Sequence, residues 1–182
     1  EIAGNAQWIT HGCARVSIRT PAIVAEADNL VLENVQRGKK CLDVADIYRQ
    51  LAERTGLSYG PAFSRLVGLW VGEHEALGHV ILRQEERDQC HLFDSLHPAL
   101  LDCCMQAMTG IIMSGSSDGR GMLDDHVFLP VGVEAFRVHT ADAHLCSDVW
   151  SIVRVQEGGQ TERVRMVDVS IYDASPGGGR LV

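Results

Sequence analysis

Ten consecutive residues, His97-Pro98-Ala99-Leu100-Leu101-Asp102-Cys103-Cys104-Met105-Gln106, set one carboxyl group among leucines, cysteines and a methionine. Burying an ionised carboxylate in such company is strongly unfavourable, so the group either finds a partner or holds its proton. Gln106, four residues on, shares a helical face with Asp102 and can hydrogen-bond it. A carboxylic acid that keeps its proton near neutral pH is what a leaving hydroxyl needs to depart as water, because expelling hydroxide unassisted is slow. Spacing alone leaves two readings of Asp102 open: that acid, or a satisfied buried carboxylate holding a neighbouring loop through its backbone amides.

The carboxyl must be carried by a helix over residues 95–113, with Pro98 suited to its first turn and Leu101, Cys104, Met105, Met108, Ile111 and Ile112 at three- and four-residue spacings. Apolar residues cover most of that helix, which calls for burial nearly all round, and a wrapping sheet supplies such cover. Strand candidates flank it. Residues 64–71 and 77–82 read as a hairpin about the Gly72-Glu73-His74-Glu75 turn, and residues 127–139, 148–156 and 161–172 as further antiparallel strands, the last two joined by Glu157-Gly158-Gly159-Gln160. Upstream, Asp43 caps a short amphipathic helix with Val44, Ile47, Tyr48 and Leu51 on its apolar face and Gly56 at its left-handed stop.

The remaining segments are less patterned. Residues 1–20, with the β-branched run from Trp8 to Arg19, read as a terminal strand belonging to something upstream, and residues 21–42 as a linker with a solvated Gly38-Lys39-Lys40. Residues 43–175 form the main domain, and the glycine-rich 176–182 a flexible tail. At 182 residues, 46% hydrophobic and 22% charged, the chain has the make-up of a folded domain. A formal charge of -8 without a basic cluster argues against nucleic acid, and the apolar stretches fall short of the roughly 18 to 20 residues of a membrane span. A cytoplasmic location is expected, with the six unpaired-looking cysteines acting as small hydrophobes.

Three motifs in order carry a family resemblance. The segment His97-Pro-Ala-Leu-Leu-Asp102-x-x-x-Gln106 resembles the His-Pro-x-x-x-Asp-x-x-x-Gln/His motif of polyketide synthase dehydratase domains. Tyr59-Gly60-Pro61-Ala62-Phe63 is similar to that family's Tyr-Gly-Pro-x-Phe motif, and Phe128-Leu129-Pro130-Val131-Gly132-Val133 to its Leu-Pro motif, while Trp8-Ile9-Thr10-His11-Gly12 resembles the end of the family's first half. The resemblance implies an α+β double hotdog, each half a long central helix wrapped by an antiparallel sheet, with this chain supplying the second half.

It further implies a hydro-lyase acting on a 3-hydroxyacyl chain carried on the phosphopantetheine of an acyl carrier protein, with no other cofactor and no metal. A histidine of the first half takes the proton alpha to the thioester, Asp102 protonates the beta-hydroxyl, and a trans-2-enoyl thioester remains. By the same comparison Gln106 orients Asp102, and Tyr59 and Gly60 line the entrance near the hydroxyl. Phe63, Leu129 and Pro130 shape the acyl tunnel, with Pro61, His97 and Pro98 also among the substrate-binding positions. From the residues alone, Tyr59-Gly60-Pro61 also reads as a turn and His97 as a helix-start residue satisfied by backbone. The expected partners are the carrier protein, the first hotdog half, other synthase domains and a possible second copy. Carrier proteins are usually acidic, so tethering, not long-range attraction to this acidic chain, must bring the substrate in.

The family's catalytic histidine belongs to a His-x-x-x-Gly-x-x-x-x-Pro motif of the first half. His74-Glu75-Ala76-Leu77-Gly78 matches its first five positions, but Arg83 stands in place of proline. The fragment alone is therefore expected to be inactive. His74 and His79 are five apart, which swings a second zinc ligand about 100° off a helical face, and Gly115-Ser116-Ser117-Asp118-Gly119 follows a helix where a nucleophile elbow must follow a strand. Two other functions remain open: a non-catalytic docking or dimerisation module, and a same-fold isomerase or cyclase using the same acid.

Overall fold

The computed structural model describes residues 13–15, 36–92, 96–114, 129–140, 143, 146–156, 166–174 and 181–182. In chain order the elements are β1 (Lys40–Leu42), α1 (Val44–Thr55), a 3-10 turn (Pro61–Phe63), β2 (Leu66–Val71), β3 (Glu75–Ile81) and α2 (Gln84–Arg87). After a further 3-10 turn (Cys90–Leu92) come α3 (Pro98–Gln106), α4 (Met108–Ser114), β4 (Asp148–Val155) and β5 (Val167–Asp173). The strands form one antiparallel sheet in the order β1-β2-β3-β4-β5, with α3 and α4 lying on one face, the helix-on-sheet arrangement of a hotdog.

Local chemistry sets the boundaries of α1. The Asp43 carboxylate accepts from the Ala45 and Asp46 amides, and Gly56 takes φ 73° to end the helix, a conformation that costs a residue without Cβ little. Ile47 and Leu51 turn into the core. The β2–β3 hairpin closes where the Gly72 amide donates to the Glu75 carbonyl at 2.8 Å. The pairing then runs from Val71 opposite Ala76 to Leu66 opposite Val80, with a shift between Leu66 and Gly68.

The alternation of each strand separates two faces. Ala76, Gly78 and Val80 of β3 and Val149, Ser151 and Val153 of β4 face the helices, where Leu100, Cys103, Cys104 and Ala107 meet them. On the opposite face Trp150 stacks on His79 with ring centroids 4.0 Å apart, His79 Nε2 meets Asp148 Oδ1 at 2.8 Å, and Trp70 lies 5.7 Å from Trp150. Leu77 and Ile152, paired across β3 and β4, are buried on that same side, so the sheet is not bare there.

The helices approach the sheet closely. A Cβ built on Gly78 would sit 2.9 Å from both the Ala107 Cβ and the Leu66 Cδ1. Leucine can swing aside, but the alanine methyl moves only with its helix. Gly78→Ala is therefore expected to destabilise the fold by about 1–3 kcal/mol, read as a lowered urea midpoint, and an unchanged midpoint would mean the helix is not seated there. Ser151 adds a polar tie: its hydroxyl, fully buried, donates to the Cys104 carbonyl at 2.8 Å.

Several sequence expectations require correction. The single helix over residues 95–113 is two segments, interrupted at Ala107. The Thr109 hydroxyl takes the Gln106 carbonyl at 2.7 Å and the Gly110 amide turns to the Ala107 carbonyl at 3.3 Å, which lets Gly110 come against Leu69 and Val71 of β2. Burial is one-sided as well, because Leu101, Asp102, Met105, Met108, Ile112 and Met113 are only half-buried.

No strand forms over the described part of residues 127–139. Residues 129–139 are exposed without regular structure: the alternation of Leu129, Val131 and Val133 is met by no strand pairing among the described residues. Part of the expected linker is β1, whose pairing to β2 buries the Lys39 side chain against Glu75 at 2.7 Å. The end of the expected flexible tail is held: Leu181 bridges to Tyr172, and Val182 is buried with its amide on the Ile171 carbonyl, giving an apolar pair a place at the sheet edge. In the opening segment Cys13–Arg15 are exposed and lack strand structure, while Trp8–Gly12, residues 21–35, the glycine-serine loop 115–121, Phe128 and the 157–160 connection lie outside the described residues. Among the described residues no helix is long and apolar enough to cross a membrane, and no group of three or more potential metal ligands occurs.

Candidate active site

Asp102 lies one turn into α3, half-buried, on a helix whose start is fixed by Pro98 and by the His97 ring, which accepts from the Ala99 amide at 3.1 Å. The Gln106 Nε2 donates to Asp102 Oδ2 at 2.7 Å, the contact that four-residue spacing on a helix allows. It also donates to the Phe63 carbonyl at 2.9 Å. That carbonyl is presented by the Pro61–Phe63 turn, held by the Phe63 amide on the Gly60 carbonyl and by the Ser64 hydroxyl on the Tyr59 and Gly60 carbonyls. The Cys103 thiol donates to the same Phe63 oxygen at 3.3 Å.

The Tyr-Gly-Pro-x-Phe segment and the helix thus meet at the Gln106 amide that holds the carboxyl group. Tyr59 is half-buried, and burial first, with the Asp102 charge next, raises its phenol above the ordinary range and keeps it a proton donor. Its ring meets that of Tyr48 edge-on with centroids 5.8 Å apart. Tyr48, an apolar-face position of α1 in the sequence, donates its hydroxyl to Gln106 Oε1 at 2.7 Å. Burial is the main cause that raises its pKa, so the hydroxyl retains its hydrogen.

The other expected site residues separate from this cluster. The Phe63 ring is exposed although its carbonyl is central, Pro61 and Pro98 are exposed, and Leu129 and Pro130 lie on the exposed segment after α4. His97 serves the helix start, and His79 faces Asp148 on the far side of the sheet. Of the two cysteines after Asp102, burial pushes the Cys103 thiol up to about 11 and Cys104 higher still. Both are expected to resist iodoacetamide at neutral pH while exposed Cys13 and Cys41 react, checked by peptide mapping of the folded chain; alkylation of Cys104 at the surface rate would contradict this packing.

A half-buried carboxyl held on one oxygen by an amide, with its other oxygen outside that bond, can donate or accept a proton at one aimed position. The family model for the polyketide synthase dehydratase N-terminal domain matches residues 26–177. The chain is 28% identical over 166 residues to the pikromycin polyketide synthase component PikAII of Streptomyces venezuelae, covering 86% of this chain and 4% of that relative's length. The solved dehydratase domain from the CurK module of curacin polyketide synthase superposes with TM-score 0.63 at 29% identity, over 85% of this chain and 49% of that one. Two altered forms of the CurK dehydratase, one with aspartate replaced by asparagine and one with histidine replaced by phenylalanine, are described as inactive mutants.

Proposed function

The chain belongs to the polyketide synthase dehydratase family, and from that premise we propose that it supplies the second hotdog half of a dehydratase acting on a 3-hydroxyacyl thioester, with Asp102 as general acid. The observation that carries the proposal is the fixing of Asp102 Oδ2 by Gln106 Nε2 at 2.7 Å beside the Tyr-Gly-Pro-x-Phe turn. Although the matching model is named for the N-terminal domain, the order of motifs supports the second half: the Tyr-Gly-Pro turn first, then the aspartate helix. Coverage of about half of the solved dehydratase chain is compatible with one hotdog of two.

In the proposed reaction a histidine of the other half removes the proton alpha to the thioester carbonyl. The electron pair of that C–H bond becomes the new C=C bond, the C–O bond at the beta carbon breaks, and the departing oxygen takes the proton of Asp102 to leave as water. Asp102 is left as carboxylate, stabilised by the Gln106 N–H, and is reset by the proton that the histidine took. The inactive aspartate and histidine forms of the CurK dehydratase support a two-residue division of labour of this kind. The acyl chain arrives on the phosphopantetheine of an acyl carrier protein tethered in the same synthase, which supports a cytoplasmic location; no metal or further cofactor enters the proposal.

The test gives the complete two-half domain a 3-hydroxyacyl thioester and follows product mass. Loss of one water supports dehydration. Unchanged mass with a moved double bond or a closed ring assigns an isomerase or cyclase, and a folded domain without turnover assigns a docking module.

A further inference from the structure

Gln106 can orient Asp102 only if its own amide is held in one sense, and a carboxamide presents nearly the same shape when turned end for end. Two contacts on Nε2, to Asp102 Oδ2 at 2.7 Å and to the Phe63 carbonyl at 2.9 Å, use both of its hydrogens. One donor faces the opposite end, the Tyr48 hydroxyl at 2.7 Å from Oε1. The Phe63 carbonyl can only accept, so it holds the Nε2 end of the amide toward itself. The Tyr48 phenol therefore meets the Oε1 end and donates its proton there. The result is a directed chain, Tyr48 O–H to Gln106 C=O, then Gln106 N–H to Asp102 Oδ2.

Resting on the dehydratase reading above, we propose that Tyr48 is a positioning residue for the reaction: it fixes the Gln106 amide so that Oδ2 of Asp102 always accepts, and the transferable proton resides on Oδ1. An acid with its proton on either oxygen would present a donor to the substrate only part of the time. A chain running one way removes that ambiguity. Tyr48 is 58 residues from Gln106, which makes the link a product of the fold.

The experiment uses the complete domain and a two-by-two set: wild type, Tyr48→Phe, Gln106→Ala and the double variant, with kcat and KM measured for each. Tyr48→Phe keeps the ring and its edge contact with Tyr59 but removes the donor. Its kcat is expected to fall about tenfold, the scale of one lost hydrogen bond, with KM nearly unchanged. In the Gln106→Ala background the same change should cost nothing further, because the chain is already cut. Equal losses in both backgrounds, or full activity of Tyr48→Phe, would overturn the proposal. Leu51→Ala, on the same helix and outside the hydrogen-bond chain, controls for a loosened α1. If it reproduces the kcat loss at a matching drop in melting temperature, Tyr48 acts only as packing and the proposal falls. An active Asp102→Asn would overturn the dehydratase reading itself, whereas an inactive Asp102→Asn with active Tyr48→Phe removes this inference alone.

Discussion

Asp102→Asn in the complete dehydratase domain is expected to lower kcat for water loss by about 100- to 10,000-fold, the range over which a positioned acid accelerates such steps. The substitution is nearly isosteric. An asparagine carbonyl can still accept from Gln106 Nε2, so the contact at 2.7 Å and the seating of α3 are retained, and the melting temperature should stay close to that of wild type. What disappears is the acidic proton: an amide does not protonate a departing hydroxyl at useful rates. KM should change little, because the group acts on the oxygen as it leaves and not on the bound acyl chain. Product formation is followed by mass spectrometry, and turnover equal to wild type would end the acid role of Asp102.

Leu100→Ala should give the largest loss of stability. Leu100 is fully buried on the face of α3 that meets the sheet, within the cluster containing Leu96, Cys103, Cys104 and Val149. Its removal costs the transfer energy of the lost carbons and leaves a cavity that a helix pinned by Ser151 cannot collapse to fill, about 2–5 kcal/mol together. For a domain of this size that is a fall of about 5–15 °C in melting temperature, measurable by circular dichroism. A fall below about 2 °C would show that α3 relaxes freely on the sheet. The two predictions separate: one substitution stops chemistry with the fold kept, the other loosens the fold two residues away.

Legibility in the sequence followed the range of the interaction. The start and stop of α1 were readable because Asp43 and Gly56 act on residues within a turn of themselves. The Asp102–Gln106 bond was readable for the same reason, being one helical turn long. The break at Ala107 was not, since alanine is a strong helix former and the interruption arises from Thr109 and from the contact of Gly110 with β2. Alternation misled at Leu129, Val131 and Val133, because a period of two reports a side chain pattern and not the presence of a neighbouring strand. Glycine-rich surroundings make Lys39 look solvated and place Leu181 in a flexible tail, and pairing partners far along the chain, Glu75 and Tyr172, decide otherwise. Tyr48 carried no signal beyond an apolar helical position.

The interruption at Ala107 also divides labour within what looks like one rod. The turn carrying the carboxyl is anchored from below by the Ser151 hydroxyl on the Cys104 carbonyl, while the following turn is anchored separately where Gly110 meets β2. The two anchors meet at a joint, not along a rigid shaft. A shift of the second piece on β2 can therefore be absorbed at Ala107 without re-aiming the first, so the acid keeps its bearing while the far end of the rod adjusts.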